Sequence, residues 1–514
     1  MLLIKDSRFR YFKKLRTWSS VAVLSLLLGV PGPVSAETLK EALAAAYLFN
    51  PTLKGVRAQL RATDNVVAVS KSGYRPTVTA TLTDGFEDLR SRVSVPLSSL
   101  GSGSSSTLAN GTSNPRSAQI ALQQNVFDGF RTYNAVQGSE ALVEAGREDL
   151  RLTETNVLLN AATFYMNVVR DQAIVNLRRN NVKVLSEQLR ATQDRFKVGE
   201  VTRTDVAQAQ SGLAQSQADL SIAQGTLYGD QASFAQFIGH PPGTLRDPGP
   251  ATKLLPKTLQ GSIDIAQAEN PGIIGAIFRE RAQQHQVKQV KGQLLPTLSV
   301  NASYTKSAQL TSPQITQQDD TRVIGTLSIP IYEAGSVSAQ IREAIEILSQ
   351  RRQQVDEQRE LARQNVGSSW GLLIAARGNV AAGQSAVDAT KIALQGVREE
   401  ERVGQRTILD VLNSEQQFLN AQVNLVSFQR DLVVASYSVL AAMGRLSASD
   451  IALQAELYDP ARYYGEVTDA WYGWGASIES QEDPRVAPVD DPGRTPGQRH
   501  TDGPAYTQKL PQIP

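Results

Sequence analysis

Few residues of this chain have the types and spacing that catalysis or metal binding requires. Its three histidines, His240, His285 and His500, lie far apart, and none belongs to an HExxH or similar pattern. There is no cysteine, which excludes disulfides, thiolate metal sites and a lipid-carrying N-terminal cysteine. We find no nucleophile motif, phosphate-binding loop or carboxylate pair with a cleft. The sequence therefore predicts a protein that is not an enzyme and that binds no metal or cofactor.

The most regularly placed charged residues are two aspartates that follow the same turn sequence. Val198-Gly199 comes shortly before Asp205, and Val403-Gly404 comes at the same distance before Asp410. Glycine suits a helix terminus because it tolerates positive backbone angles. On the bare sequence, Val-Gly is a plain interhelical turn and each aspartate is most often a solvated residue.

Most of the chain is duplicated around these turns. Asn50-Pro51 recurs as Asn270-Pro271 at an offset of 220, and the Val-Gly turns recur at an offset of 205. The offset changes where the first copy carries a Ser/Gly-rich insertion, about Ser98 to Asn114, which we expect to be an exposed loop. The resulting domain assignment is a first structural repeat at 37–257, a second at 258–446 and a C-terminal tail at 447–514.

Each repeat contains two segments typical of β-strands. We predict strands at about 76–90 and 116–128 in the first repeat, and at about 296–306 and 321–332 in the second. Val78, Ala80 and Leu82 alternate with threonines, which gives one apolar and one polar face. A soluble antiparallel sheet with one solvated face shows the same pattern. In a membrane, four strands cannot close a barrel and open edges are not tolerated, so such a barrel must be shared between chains.

The helical segments are too long for a compact domain. Thr132 to Lys197 contains no proline, and a continuous helix there would be on the order of 100 Å long. Apolar residues recur in it every seven positions, from Ala161 to Val168 and Val175, which favours coiled-coil packing. Return helices are expected to reach about residue 240 in the first repeat and 443 in the second. An ordinary amphipathic helix with an unseen break remains the alternative.

The N-terminus resembles a secretory signal peptide. A basic stretch precedes an apolar core from Val21 to Val30 and a small-residue cleavage site at Val34-Ser35-Ala36, which predicts a signal at 1–36. The apolar core is short for a membrane anchor, which is the alternative. The formal net charge of +2 gives no argument for nucleic acid binding.

Taken together, the duplication and the turn motif resemble the TolC outer-membrane factor family. The matching stretches are FKVGEVTRTDVAQAQ at Phe196 to Gln210 and ERVGQRTILDVLNSEQ at Glu401 to Gln416, and the resemblance covers about Glu37 to Leu446. It implies an α+β, mainly α, fold in which long antiparallel coiled-coil helices form a periplasmic tunnel. It also implies a homotrimer whose twelve strands form one barrel in the outer membrane of a Gram-negative type envelope.

The resemblance also implies roles for particular residues. Asp410 and Asn413 fall at the pore constriction, where three Asp410 side chains around an axis would favour cations; Asn413 replaces a second acid of the best-known pattern. The positions of the gate links are Thr204, Asp205, Arg406 and Glu401, and Glu401 replaces the tyrosine expected to pair with Asp205. Periplasmic tip turns for docking are Val198, Gly199, Val403 and Gly404.

The implied function is a passive exit duct of a tripartite export system for type I protein secretion, multidrug efflux or both. Its partners would be a periplasmic adaptor protein and an inner-membrane transporter, either ABC-type or proton-driven. A periplasmic structural coiled-coil protein without a pore is the alternative. In the tail, an aromatic segment that includes Tyr458, Trp471 and Tyr472 is expected to pack on the periplasmic surface of the helices, and the rest is expected to be disordered.

Overall fold

The computed structural model describes residues 36–95, 105–308 and 317–473, so almost all of the predicted signal peptide lies outside the described residues. The helices are α1 (Leu39–Phe49), α2 (Pro51–Lys71), α3 (Arg131–Lys197), α4 (Arg203–Ile238), α5 (Leu259–Glu269), α6 (Pro271–Lys291), α7 (Ser336–Arg402), α8 (Ile408–Met443) and α9 (Pro460–Val467). The strands are β1 (Thr77–Asp84), β2 (Glu87–Val95), β3 (Ser105–Ser113), β4 (Arg116–Phe127), β5 (Thr297–Ala308) and β6 (Gln317–Ser328).

Corresponding helices of the two repeats have equal lengths. The pairs α1/α5, α2/α6, α3/α7 and α4/α8 have 11, 21, 67 and 36 residues per helix, respectively. At 1.5 Å per residue, α3 and α7 are each about 100 Å long. The predicted mainly α fold with long antiparallel helices is confirmed. Within the described residues, no helix combines the length and apolar composition needed to cross a membrane.

Two shorter helices together accompany each long helix. Both α2 and α4 pack along α3, both α6 and α8 pack along α7, and α3 also contacts α6 and α8. The resulting order across the chain is α2/α4, α3, α6/α8 and α7. Ala161, Val168 and Val175 of the predicted sevenfold seam are buried, whereas Phe196, three heptads after Val175 on the same seam, is exposed.

The largest core lies where α4 meets α2 and α8 meets α6. It contains Tyr165, Phe234, Leu440 and Met443, all almost completely buried, together with much of α1. The hydroxyl of Tyr165 lies 2.7 Å from each of the backbone oxygens of Glu37 and Arg246 and can donate its single hydrogen to either. These bonds tie the first described residues and the loop after α4 to the middle of α3.

One antiparallel sheet joins both repeats in the order β1-β4-β5-β6. Two strands occupy the segment predicted as one strand at 76–90, because the ladder of β1 ends at Asp84 and a separate strand starts at Glu87. The strand predicted at 321–332 was misplaced: β6 begins at Gln317, where Gln317 pairs with Ala308, and it ends at Ser328. The register of a hairpin depends on pairing across strands, which alternation within one strand does not reveal.

The registers place side chains of the same character on the same face. Val78 pairs with Leu122, Leu122 pairs with Ala302, and Ala302 pairs with Val323, which forms a continuous apolar row across all four strands. The neighbouring row contains Thr77, Gln123, Asn301 and Ile324, so the opposite face is mostly polar. Every residue of β1 is exposed, because none of the described residues covers either face of that strand.

The insertion in the first repeat forms part of a second, two-stranded sheet. β2 pairs with β3 over nine residue pairs, from Glu87–Ser113 to Val95–Ser105. The expectation that 98–114 forms a loop was therefore wrong for 105–113. Serine and threonine hydrogen-bond to turn backbone but also fit strands when paired, and composition alone does not separate the two cases.

Candidate functional site

Two turns of identical geometry lie at the end of the helices that is distant from the sheet. We call them the tip turns: residues 198–202 join α3 to α4, and residues 403–407 join α7 to α8. Gly199 has φ 81° and Gly404 has φ 79°. A side chain at either glycine would meet no atom within 4 Å. Glycine is therefore needed for its backbone conformation, which ends the long helix, and not for lack of space.

Apolar side chains at the tip turns face outward. Val198 is 71% exposed and Val403 is 66% exposed in the single chain. Phe196 adds a partly exposed ring next to the first turn. The sequence placed Val198, Gly199, Val403 and Gly404 at this tip, and the structure brings the four residues to the same end of the helices.

Each tip turn ends in a capping box that contains the candidate acid. The carboxylate of Asp410 accepts the backbone N–H of Thr407 at 3.0 Å and its hydroxyl at 2.9 Å, while Thr407 caps the backbone N–H of Asp410. The backbone hydrogen bond from Thr407, followed by the hydroxyl bond, lowers the pKa of Asp410 below its usual value. Asp410 thus starts α8 and stays charged, a structural role that the sequence interpretation missed.

The first repeat repeats this arrangement. Asp205 accepts the backbone N–H of Thr202 at 2.9 Å and the hydroxyl at 2.8 Å. Thr204 lies in the first turn of α4 and is exposed. A Thr-x-x-Asp spacing before a helix could have revealed both boxes from the sequence, because it resembles the capping-box signature.

Among the described residues, no hydrogen bond joins Arg406 to Asn413. The Nε of Arg406 donates to Glu400, near the end of α7, at 2.9 Å, and this hydrogen bond raises the pKa of Arg406. Asn413 lies exposed one helical turn after Asp410. Within the part of the chain that the structure describes, no hydrogen bond or ion pair joins Arg406 to Thr204, Asp205 or Glu401, so the gate links stay a prediction.

A different residue pair joins the two tips. Arg195 at the end of α3 donates to Glu401 at the end of α7, with an N–O distance of 2.6 Å. Glu401, which replaces the family's tyrosine, is largely covered in this pair, whereas Arg195 is 40% exposed. Farther from the tip turn, Arg398 of α7 pairs with Glu415 of α8, and the Glu415 side chain is buried. The sequence interpretation included Glu401 but missed Arg195, because a contact between residues 206 positions apart leaves no local pattern.

A four-stranded sheet followed by 67-residue helices that end at two duplicated turns is the architecture of an outer-membrane exit channel. The outer membrane efflux protein family matches residues 42–240 and 262–445, and this chain belongs to that family. It is located in the outer membrane, with a helical tunnel in the periplasm.

Comparisons of sequence and fold with known proteins agree with this family assignment. The chain is 37% identical over 470 residues to the outer membrane efflux protein BepC of Brucella suis, covering 91% of this chain and 98% of that protein. It is 26% identical to the outer membrane protein TolC of Escherichia coli, covering 71% and 78%. The CmeC outer membrane channel of Campylobacter jejuni has a similar fold, with a TM-score of 0.66 at 15% identity, covering 84% and 89%.

Proposed function

We propose that three copies of this chain form one passive exit duct that is gated at its periplasmic end. The observation that carries this proposal is the sheet: within the described residues its outer strands, β1 and β6, each have a single neighbouring strand. Unpaired strand edges are not tolerated in lipid, so the edge of one chain needs the edge of another.

Antiparallel pairing of β1 with β6 of a neighbouring chain would satisfy both edges. Repeated three times, four strands per chain make a barrel of twelve. The apolar row through Val78 and Leu122 would then face lipid, and the polar face would surround the lumen. The helices α2/α4 and α7, at the two ends of the helix order, would meet between chains in the tunnel below.

The tip turns supply the gate of this proposed duct. Asp410 is held at the start of α8 by its bonds to Thr407, so three chains would place three fixed negative charges at one level. Such a ring favours cations and repels anions. Thr204, Asp205, Arg406, Glu401 and Asn413 would form its surroundings between neighbouring coils.

The exposed valines at the tip turns support the assignment of partners. A pair of apolar side chains, Val198 and Val403, at the far end of the tunnel is suited to a periplasmic adaptor protein and an inner-membrane transporter. The transporter would supply the energy and select the cargo, which is a protein, a small toxic molecule or both. The duct itself would catalyse no reaction.

Single-channel recording in a planar bilayer tests this function. The purified protein should insert as a trimer and give small, cation-preferring currents. Mass measurement of the detergent-solubilised protein by light scattering should agree with three chains. A monomer that never inserts would instead support the periplasmic coiled-coil protein without a pore, an alternative that membership of an outer-membrane channel family already disfavours.

A further inference from the structure

The segment that follows the second repeat binds along α2 and reaches the start of β1. The amide of Asn65 donates to the hydroxyl of Tyr463 at 2.9 Å. Further along α2, Lys71 pairs with Asp469 at 2.9 Å. Since these contacts follow α2 toward its C-terminal end, the segment runs in the direction of the sheet.

The last contacts of this segment lie immediately before the sheet. Arg75 donates to the backbone oxygen of Ala470 at 2.6 Å, and its guanidinium carbon lies 4.8 Å from the centre of the Trp471 ring. Only Pro76 separates Arg75 from Thr77, the first residue of β1. Trp471 is therefore held at the level where the tunnel helices end and the strands begin.

The aromatic side chains at this level remain uncovered. Trp471 is 70% exposed and Tyr472 is 95% exposed, although both follow a segment that is otherwise fixed to α2. The sequence predicted that the aromatics of this segment pack on the periplasmic helices. Tyr463 and Tyr464 contact these helices, whereas Trp471 and Tyr472 are mostly exposed. Tryptophan and tyrosine are enriched at membrane–water interfaces, where the ring is at headgroup level.

The second repeat gives an independent reason to expect an apolar group here. At the offset of 220, Tyr74 and Arg75 correspond to Leu294 and Leu295, which are both exposed immediately before β5. The first repeat has a charged residue where the second has leucine. Trp471 lies over that arginine, so both repeats present apolar surface at this level.

We propose that Trp471 and Tyr472 form an interfacial anchor that contacts the phospholipid headgroups of the periplasmic leaflet of the outer membrane. The anchor is continuous with the apolar face of β1, which starts with Val78 three residues after Arg75. The Arg75 guanidinium fixes the Trp471 ring by a cation–π contact and keeps it at this level. This inference rests on the proposed position of the four-stranded sheet in the bilayer.

Fluorescence quenching by brominated phospholipids tests the anchor in reconstituted full-length protein. One variant retains Trp471 alone and a matched control retains Trp370 alone, with every other tryptophan replaced by Phe. Trp370 lies 34 residues into α7, on the order of 50 Å from the sheet. A third variant, Leu82→Trp in a background without other tryptophans, reports on the exposed apolar face of β1.

We expect lipids brominated near the headgroup to quench Trp471 more strongly than lipids brominated near the chain end, and neither to quench Trp370. Quenching of Leu82→Trp without quenching of Trp471 would overturn the anchor and leave the membrane sheet intact. Equal quenching of Trp370 and Trp471 would also overturn it. If neither Leu82→Trp nor Trp471 is quenched, the sheet is not in the bilayer and the proposed function fails first.

Discussion

The side-chain amide of Asn50 donates to the backbone oxygen of Phe237 at 3.1 Å, while its carbonyl accepts the backbone N–H groups of Thr52 and Leu53. One residue thus caps the start of α2 and the end of α4. Asn270 plays the corresponding part in the second repeat, donating to Ala442 at 3.0 Å and accepting one backbone N–H, that of Gly272, at 2.9 Å. Each asparagine thus links two helices that pack along the same long helix, α3 or α7.

Replacing Asn50 by alanine should therefore destabilise the chain by about 1–3 kcal/mol, because a helix cap is lost and the oxygen of Phe237 loses a partner. The thermal unfolding midpoint in detergent measures this loss. Asn50→Asp is the matched control: it keeps the acceptor but not the donor, so its midpoint should lie between those of wild type and Asn50→Ala. Equal midpoints for all three would contradict the double role.

Glycines in the same backbone conformation should differ in their tolerance of a side chain. Gly444 has φ 81°, and a Cβ there would lie 2.8 Å from Pro271 and 2.9 Å from Asn270. Gly404 has φ 79° with open space around it. We expect Gly404→Ala to lose about 1–2 kcal/mol through backbone conformation alone, and Gly444→Ala to lose clearly more. Parallel denaturant titrations would decide; similar losses would argue against close packing at Gly444.

Asp64 is a buried acidic residue of α2. Neither of its carboxylate oxygens has a hydrogen-bond partner among the described residues. Burial raises its pKa to about 6, against an opposing effect of Arg147. The folded state then holds the proton more tightly than the unfolded state. The contribution of the neutral carboxyl to the free energy of unfolding is therefore fully present below about pH 4. It is lost as the pH rises through about 6.

Asp64→Asn should remove this dependence. The variant should be more stable than wild type at pH 8 by up to about 3 kcal/mol and nearly equal to it at pH 4. Unfolding midpoints across this pH range measure the difference. Asp194→Asn, at an exposed residue whose pKa is lowered by Lys197, is the control and should show no gain at pH 8. A constant difference at all pH values would refute the prediction.

The charge and the helix cap of Asp410 can be separated by two substitutions. Asp410→Asn keeps an acceptor for Thr407 but removes the charge, whereas Asp410→Ala removes both. Both should lose cation preference and block by divalent cations in single-channel records, and Asp410→Ala should also be less stable. Because the Thr407 bonds lower the pKa of Asp410, wild-type block should not change between about pH 5 and 8. Persistent block in Asp410→Asn would exclude Asp410 from the constriction.

The Arg195–Glu401 pair is expected to hold the tips of α3 and α7 together in the resting gate. Arg195→Glu should increase the frequency of open events, because it replaces attraction with repulsion at the end of the tunnel. Adding Glu401→Arg should reverse the increase by restoring the pair with opposite polarity. A partly exposed pair of this kind contributes about 0.2–1 kcal/mol, so the effect on gating should be graded and weaker at high salt. A double variant that opens as often as Arg195→Glu would assign the effect to another contact.

The sequence by itself determined the features that depend on local periodicity. The two offsets located the corresponding long helices, return helices and Asn-Pro helix starts, and the absence of proline after Thr132 indicated a helix that runs to Lys197. Alternation in β1 and β5 identified strands with two different faces. These properties follow from backbone geometry over a few residues, which explains why they could be predicted from one chain.

Only the tertiary structure decided which distant groups meet. The pairing of Arg195 with Glu401, the bond from Asn50 to Phe237 and the position of Trp471 over Arg75 all join residues separated by more than 180 positions. The ends of the strands were also decided by contacts across the structure, because Gln317 is in a strand through its pairing with Ala308. Such contacts arise when long helices and strands align along their full lengths, and no short segment of sequence encodes that alignment.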